Sequence, residues 1–165
     1  MNIIIRKAKI GDKKTLAYIQ TESWKSAFAD IISTDDLKKY TDIAKAETMY
    51  ENVLKSGYAE ISVLEIDESP HCIAAWSKAR NPEFSDSAEL ICIHSLSDNW
   101  GKGYGTMMMN NILDEIKNSG YNSVVLWVFE KNTRARSFYE KHGFVLTNST
   151  QTSYGAVEVM YQKNL

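Results

Sequence analysis

The chain has 165 residues, 44% of them apolar and 24% charged, with nineteen basic against twenty-one acidic side chains. A polyanion binder carries a basic surplus that is missing here, two cysteines (Cys72 and Cys92) give no disulfide framework and suit a reducing compartment, and residues 124–129, the longest strongly apolar run, are far too few to span a membrane. Ile3, Ile4 and Ile5 precede the first basic residue, the wrong order for a signal peptide, so the expectation is a cytoplasmic protein, one domain over residues 1–165, with neither a nucleic-acid nor a membrane partner.

Ile3–Lys7 reads as a β-branched strand ahead of a Gly11-Asp12 turn. From Lys13 the pattern is helical, with Leu16, Ile19, Ser23, Trp24, Ala27 and Phe28 on one face. Ser33-Thr34 reads as a helix cap before Asp35, Asp36 and Leu37. A further helix is expected over residues 44–54, ending near Gly57. Strands are expected at 58–66, 72–78 and 88–96, the first two joined by an Asp67-Glu68-Ser69-Pro70 hairpin turn, with 81–87 a loop around Pro82. The third strand runs through a polar turn into Trp100-Gly-Lys-Gly-Tyr-Gly105. The next helix carries Met108, Met109, Ile112, Leu113 and Ile116 on its apolar face and stops at Gly120, which makes Met107-Met-Met109 helix core. Residues 124–129 read as a buried strand, 132–142 as a helix ended by Gly143, and short strands around 144–146 and 157–161 close the chain. Hairpins upstream imply antiparallel pairing; strand–helix–strand–helix–strand downstream implies parallel pairing. The expected fold is α/β, a mixed central sheet flanked by helices.

Charge is uneven. Residues 56–100 hold two basic and eight acidic side chains, while residues 101–165 hold seven and five. This fits an anionic ligand at the glycine turn and a cationic one over the strands, or simply solvated faces. The glycine turn itself opens a helix, where unpaired N–H groups and the positive dipole end suit phosphate. It is no Walker loop, because no Gly-Lys-Ser/Thr ends it, and no dinucleotide fingerprint, because Thr106 stands where that motif continues toward its third glycine.

Trp100-Gly-Lys-Gly-Tyr-Gly-Thr106, followed about 30 residues on by Asn132-Thr-Arg-Ala-Arg-Ser-Phe-Tyr-Glu-Lys-His-Gly-Phe144, closely resembles the GCN5-related N-acetyltransferases. The first stretch is similar to that family's Gln/Arg-x-x-Gly-x-Gly/Ala turn, which wraps the pyrophosphate of acetyl-coenzyme A; the second is similar to its Asn-x-x-Ala-x-x-Phe-Tyr helix. Ile5-Arg-Lys-Ala8, Asp12 and Ser23-Trp24 also resemble one branch of the family. The departure is Trp100 at the Gln/Arg position, where the backbone N–H groups of the turn persist and Lys102 adds charge.

The resemblance implies an acetyl-CoA-dependent N-acetyltransferase fold and direct transfer to a primary amine of a small molecule, peptide or protein. The competing reading is a non-catalytic acyl-CoA-binding or partner-binding module on the same fold. The implied coenzyme contacts are Trp100, Gly101, Lys102, Gly103, Tyr104, Gly105 and Thr106, the backbone of Ile93 and Ser95, and Asn132, Ala135, Phe138 and Tyr139. Glu89 matches the position of a glutamate base, and His94 is its rival. Strand alternation puts Glu89, Ile91, Ile93 and Ser95 on one face and Leu90, Cys92, His94 and Leu96 on the other, unless a bulge intervenes. Tyr139 matches the acid that protonates the leaving thiolate, and it shares a helix face with Ala135, Phe138 and His142. Arg134 and Arg136 are candidates for the adenosine phosphates or for solvated helix positions. Trp24, Phe28 and Ile31 would line the acceptor site, with a core role the alternative for Trp24. His71, Cys72, Cys92, His94 and His142 show no metal-ligand spacing, so no metal is expected, and Cys92 in an apolar strand is a poor nucleophile. The sequence is compatible with a homodimer.

Overall fold

The computed structural model describes residues 1–165. In chain order it contains β1 (Ile3–Lys7), α1 (Lys13–Ala27), α2 (Thr34–Tyr40), α3 (Ile43–Ser56), β2 (Glu60–Ile66), β3 (Ser69–Lys78), β4 (Ala88–Ser95), α4 (Tyr104–Asn118), β5 (Ser123–Phe129), α5 (Thr133–Lys141), β6 (Val145–Ser153) and β7 (Ala156–Asn164). One seven-stranded sheet has the order β1-β2-β3-β4-β5-β7-β6. The mixed α/β architecture is the one expected, and no helix is long and apolar enough to cross a membrane.

The helix boundaries follow local chemistry. Ser33 caps α2 by accepting from the Asp36 N–H, and Asp42 caps α3 by accepting from the Lys45 N–H. Arg6 of β1 clasps Asp12 at 2.8 and 3.0 Å and Glu65 of β2 at 2.6 Å, which ties the first strand to the sheet and to the turn that starts α1. The Ile5–Ala8 and Asp12 pattern is thus a structural clamp. Leu16, Ala17 and Ile19 of α1 pack with Tyr50 of α3 on one face of the sheet. Met108, Met109, Ile112 and Ile116 of α4 pack with Tyr139 of α5 on the other.

Three expectations are corrected. The β2–β3 turn is only Asp67-Glu68, both at positive φ; Ser69 and Pro70 already belong to β3, with Pro70 opposite Glu65 at a bulge that absorbs the extra residue. The last two strands are nine residues each and meet at a Tyr154-Gly155 turn; their polar, alternating sequence hides their length because one face is solvated. Parallel pairing in the second half is confined to β4–β5. β7 inserts antiparallel between β5 and β6, so the β5–α5–β6 crossover skips a strand.

Candidate active site

The parallel contact between β4 and β5 lasts for two positions, Ala88 opposite Val124 and Glu89 opposite Val125. Beyond them the strands part. β5 continues to Phe129 on β7 alone, and β4 continues to Ser95 on β3 alone. The antiparallel register, with the Leu96 N–H bonded to the His71 carbonyl, turns the peptide groups of His94 and Cys92 toward β3 and those of Ile93 and Ser95 toward the gap. Two of the expected backbone positions therefore face an open cleft. The splayed end of β4 is held from elsewhere: Ser23 Oγ and Trp100 Nε1 both donate to the Ser95 carbonyl, at 2.9 and 3.0 Å, and Trp24 Nε1 donates to His94 Nε2 at 3.4 Å. That carbonyl is saturated, which leaves the Ser95 N–H and both groups of Ile93 free.

The gap opens into a cavity of about 1410 Å³. The glycine turn forms one end of it. Gly101 and Gly103 have φ of +76° and +87°, and an added Cβ at either would meet no protein atom within 4 Å. Their conformation turns the chain into α4 so that the N–H groups of residues 101–106 have no protein acceptor. Trp100, Gly101, Gly103, Tyr104, Gly105 and Thr106 all line the cavity, whereas the Lys102 ammonium is bonded to Asn99 Oδ1 at 3.1 Å. Buried Asn99 in turn bonds the His71 ring, which anchors the turn to β3.

The opposite wall is α5. Asn132 caps it by accepting from the Ala135 N–H, and Ala135, Phe138, Tyr139 and Asn132 line the cavity. Tyr139 is 8% exposed, and its hydroxyl makes no hydrogen bond within the protein. Burial pushes this phenol well above its ordinary pKa, so it stays protonated. Arg136 faces away, bonded to the Tyr161 hydroxyl and the Glu130 carbonyl, but Arg134 lines the cavity.

A bulge breaks the alternation of β4. Trp76 pairs with Leu90 and Ala75 with Cys92, which leaves Ile91 as the extra residue. Leu90 and Ile93 consequently point toward α4, while Ile91, Cys92 and Leu96 pack on the α1–α3 side. Glu89 and His94, expected on opposite faces, lie on the same side, and both line the cavity. Glu89 is 2% exposed and fully engaged: Arg80 Nε contacts its two oxygens at 3.2 and 3.1 Å, the Arg80 N–H donates to Oε1 at 3.1 Å, and the guanidinium completes an ion pair with Oε2. Sequence reasoning missed Arg80; the signal was its position just past a strand antiparallel to the one that carries Glu89. Burial pushes His94 down to about 4 and the Cys92 thiol up to about 12, so the imidazole is neutral and the sulfur is no thiolate.

The other end of the cavity is aromatic. Trp24 meets Phe28 and Tyr154 edge-on at 5.1 and 5.0 Å, and Phe28 meets Phe129 at 4.9 Å. Trp24 and Phe28 line the cavity as expected, and Ile31 does not. Tyr58, Trp127, Phe129, Tyr154 and Glu158 line it too, contributed by four separate segments that no local motif connects.

This arrangement has counterparts. The chain is 24% identical over 132 residues, 79% of its length and 73% of the relative's, to a Bacillus subtilis (strain 168) protein named Uncharacterized N-acetyltransferase YuaI. Its fold matches the PaiA N-acetyltransferase from Thermoplasma acidophilum in complex with coenzyme A, with a TM-score of 0.85, 22% identity and full coverage of both chains. It also matches YncA from Salmonella typhimurium with its cofactor acetyl-CoA, with a TM-score of 0.74 and 17% identity over 99% of this chain and 94% of the other. The model of the acetyltransferase (GNAT) family matches residues 23–144, from the α1 residue that holds the splayed end of β4 to the close of the Asn132–Phe144 segment. By that match over most of its length, the chain belongs to the acetyltransferase (GNAT) family.

Proposed function

We propose that residues 1–165 form an N-acetyltransferase domain that moves the acetyl group of acetyl-CoA directly to a primary amine. The observation that carries this reading is the β4–β5 gap: unpaired backbone groups of Ile93 and Ser95 lead to a glycine turn with unpaired N–H groups. An extended arm bearing amides and ending in a pyrophosphate satisfies both sets at once. Bound acetyl-CoA supplies a thioester carbonyl for the amine and a thiol leaving group.

The residues divide the work. The turn, Trp100 to Thr106, holds the pyrophosphate, while Ile93, Ser95, Asn132, Ala135 and Phe138 hold the arm. Tyr139 presents a protonated hydroxyl to the cavity and gives its proton to the departing sulfur. The amine loses its proton to water. Glu89 cannot readily take it, because both its oxygens already accept from a cation, and neutral His94 is a weak base with its Nε2 already bonded. Glu89 instead fixes Arg80 at the acceptor end. Trp24, Phe28, Phe129 and Tyr154 form an apolar wall against which the body of the acceptor rests. A screen for free-thiol release from acetyl-CoA across small amines and peptides tests the reading. Release with at least one amine is expected, and no release with any, in protein that binds the coenzyme, overturns direct transfer.

A further inference from the structure

Two arginines line the cavity, and they differ in their partners. Arg80 is committed to Glu89. Arg134, at the start of α5, makes no ion pair and no hydrogen bond; its guanidinium carbon sits over the Trp100 ring, 3.4 Å from the centroid. Trp100 is itself fixed by its indole bond to the Ser95 carbonyl and by its N–H bond to the Ser97 carbonyl at 3.2 Å. Stacking on a ring uses the face of a guanidinium and leaves the five N–H donors on its rim unengaged. The stack joins the two walls of the cleft, and Trp100 directly precedes Gly101, where the unpaired backbone N–H groups begin. Trp100 also occupies the one motif position where this sequence departs from the polar Gln/Arg pattern.

We propose that Arg134, held by Trp100, is a pyrophosphate-binding residue of the coenzyme site, and that Trp100 is the positioning residue that supplies a cation from α5 in place of the motif's own polar side chain. The inference rests on the coenzyme reading above. It explains how an indole can stand at a phosphate-facing position: the ring carries the donor instead of being one. A bidentate, planar donor matches a diphosphate better than a point charge does.

Calorimetric titration tests it. Coenzyme A is titrated into the wild-type protein, Arg134→Gln, Trp100→Ala, Trp100→Phe and the Trp100→Ala/Arg134→Gln double variant, with thermal melts to confirm folding. Arg134→Gln and Trp100→Ala are each expected to weaken binding about tenfold. The double variant is expected to bind no more weakly than Trp100→Ala alone, because Arg134→Gln then removes a contact that is already lost. Trp100→Phe, which keeps a ring face, is expected to lose less than Trp100→Ala. The Arg134→Gln penalty should persist with 3′-dephospho-coenzyme A, which keeps the pyrophosphate, and vanish for pantetheine measured by displacement. Unchanged binding in Arg134→Gln, multiplied losses in the double variant, or loss of the penalty with the dephospho compound overturns the inference. Exposed Arg134 keeps the test decisive even if Trp100→Ala does not fold. A wild-type protein that binds no coenzyme A overturns the coenzyme reading as well, whereas wild-type binding with an unaffected Arg134→Gln overturns this inference alone.

Discussion

At the glycine-turn end of the cavity the unpaired groups are mostly backbone: the N–H groups of residues 101–106, both peptide groups of Ile93 and the Ser95 N–H. At the aromatic end they are side chains, with Trp24, Phe28, Phe129 and Tyr154 packed edge to face and the Arg80–Glu89 pair lining the same cavity. The difference teaches where each end is vulnerable. A backbone-built site tolerates most changes of side chain but fails where a Cβ enters. A site built from side chains changes character with each ring or charge.

The largest expected effect, complete loss of coenzyme binding, comes from Gly103→Val. A side chain at φ +87° is strained and projects into open cavity space. Wild-type protein with coenzyme at 100 times its Kd gains about 2.7 kcal/mol, a rise of roughly 5–10 °C in Tm for a domain of this size. The variant should show no rise in the same melt, and a full rise would remove the distinction between the two ends.

His94 carries the next effect, at the aromatic end. Its folded-state pKa of about 4 lies below the unfolded value. The fold therefore holds the neutral form, and that stability is complete above about pH 6.5 and drains away as the pH falls toward 4, by roughly 3 kcal/mol. Denaturant melts from pH 7 to 4 should fall more steeply for the wild type than for His94→Gln. The carboxylates of Asp12 and Glu115, which Arg6 and Lys7 hold below their ordinary values, are common to both proteins and cancel in the comparison. Parallel curves would place the acid sensitivity elsewhere.

Tyr139→Phe follows. Its hydroxyl has no protein partner, so folding should change by less than about 1 kcal/mol, while turnover falls by roughly 10²-fold. An acyl donor with a more acidic thiol should partly restore the rate. Near-normal turnover would reduce Tyr139 to core packing.

Glu89→Gln removes a charged acceptor from the Arg80 guanidinium and N–H, at a cost of about 2 kcal/mol in stability. Its effect on turnover should be the same at pH 7 and pH 9.5, as expected of a residue whose part is to anchor Arg80. A loss confined to neutral pH would return Glu89 to the base role. The smallest effect is expected for Gly105→Ala. Its Cβ would meet the Phe138 ring at 3.5 Å, an ordinary contact, at a φ that any residue adopts. A thermal melt should show a gain of up to about 1 kcal/mol from helix propensity.

What the sequence determined by itself is what neighbours along the chain enforce. The α1 and α4 stripes, the Ser33 cap, the glycine turn at the head of α4 and the Asn132 cap of α5 all rest on interactions within a few residues, and each is where the pattern puts it, except that Met107, read as helix core, is exposed beside the buried Met108 and Met109. The tertiary structure decided the rest. β7 takes the place beside β5 because strand pairing is set by which edges meet, not by chain order. The bulge at Ile91 reverses the facing of half of β4, since one extra residue flips a two-residue period. Arg80 reaches Glu89, Arg134 reaches Trp100 and Tyr154 reaches Trp24 only after folding, across separations of up to 130 residues, and long-range contacts of that kind leave no periodic trace in a single sequence.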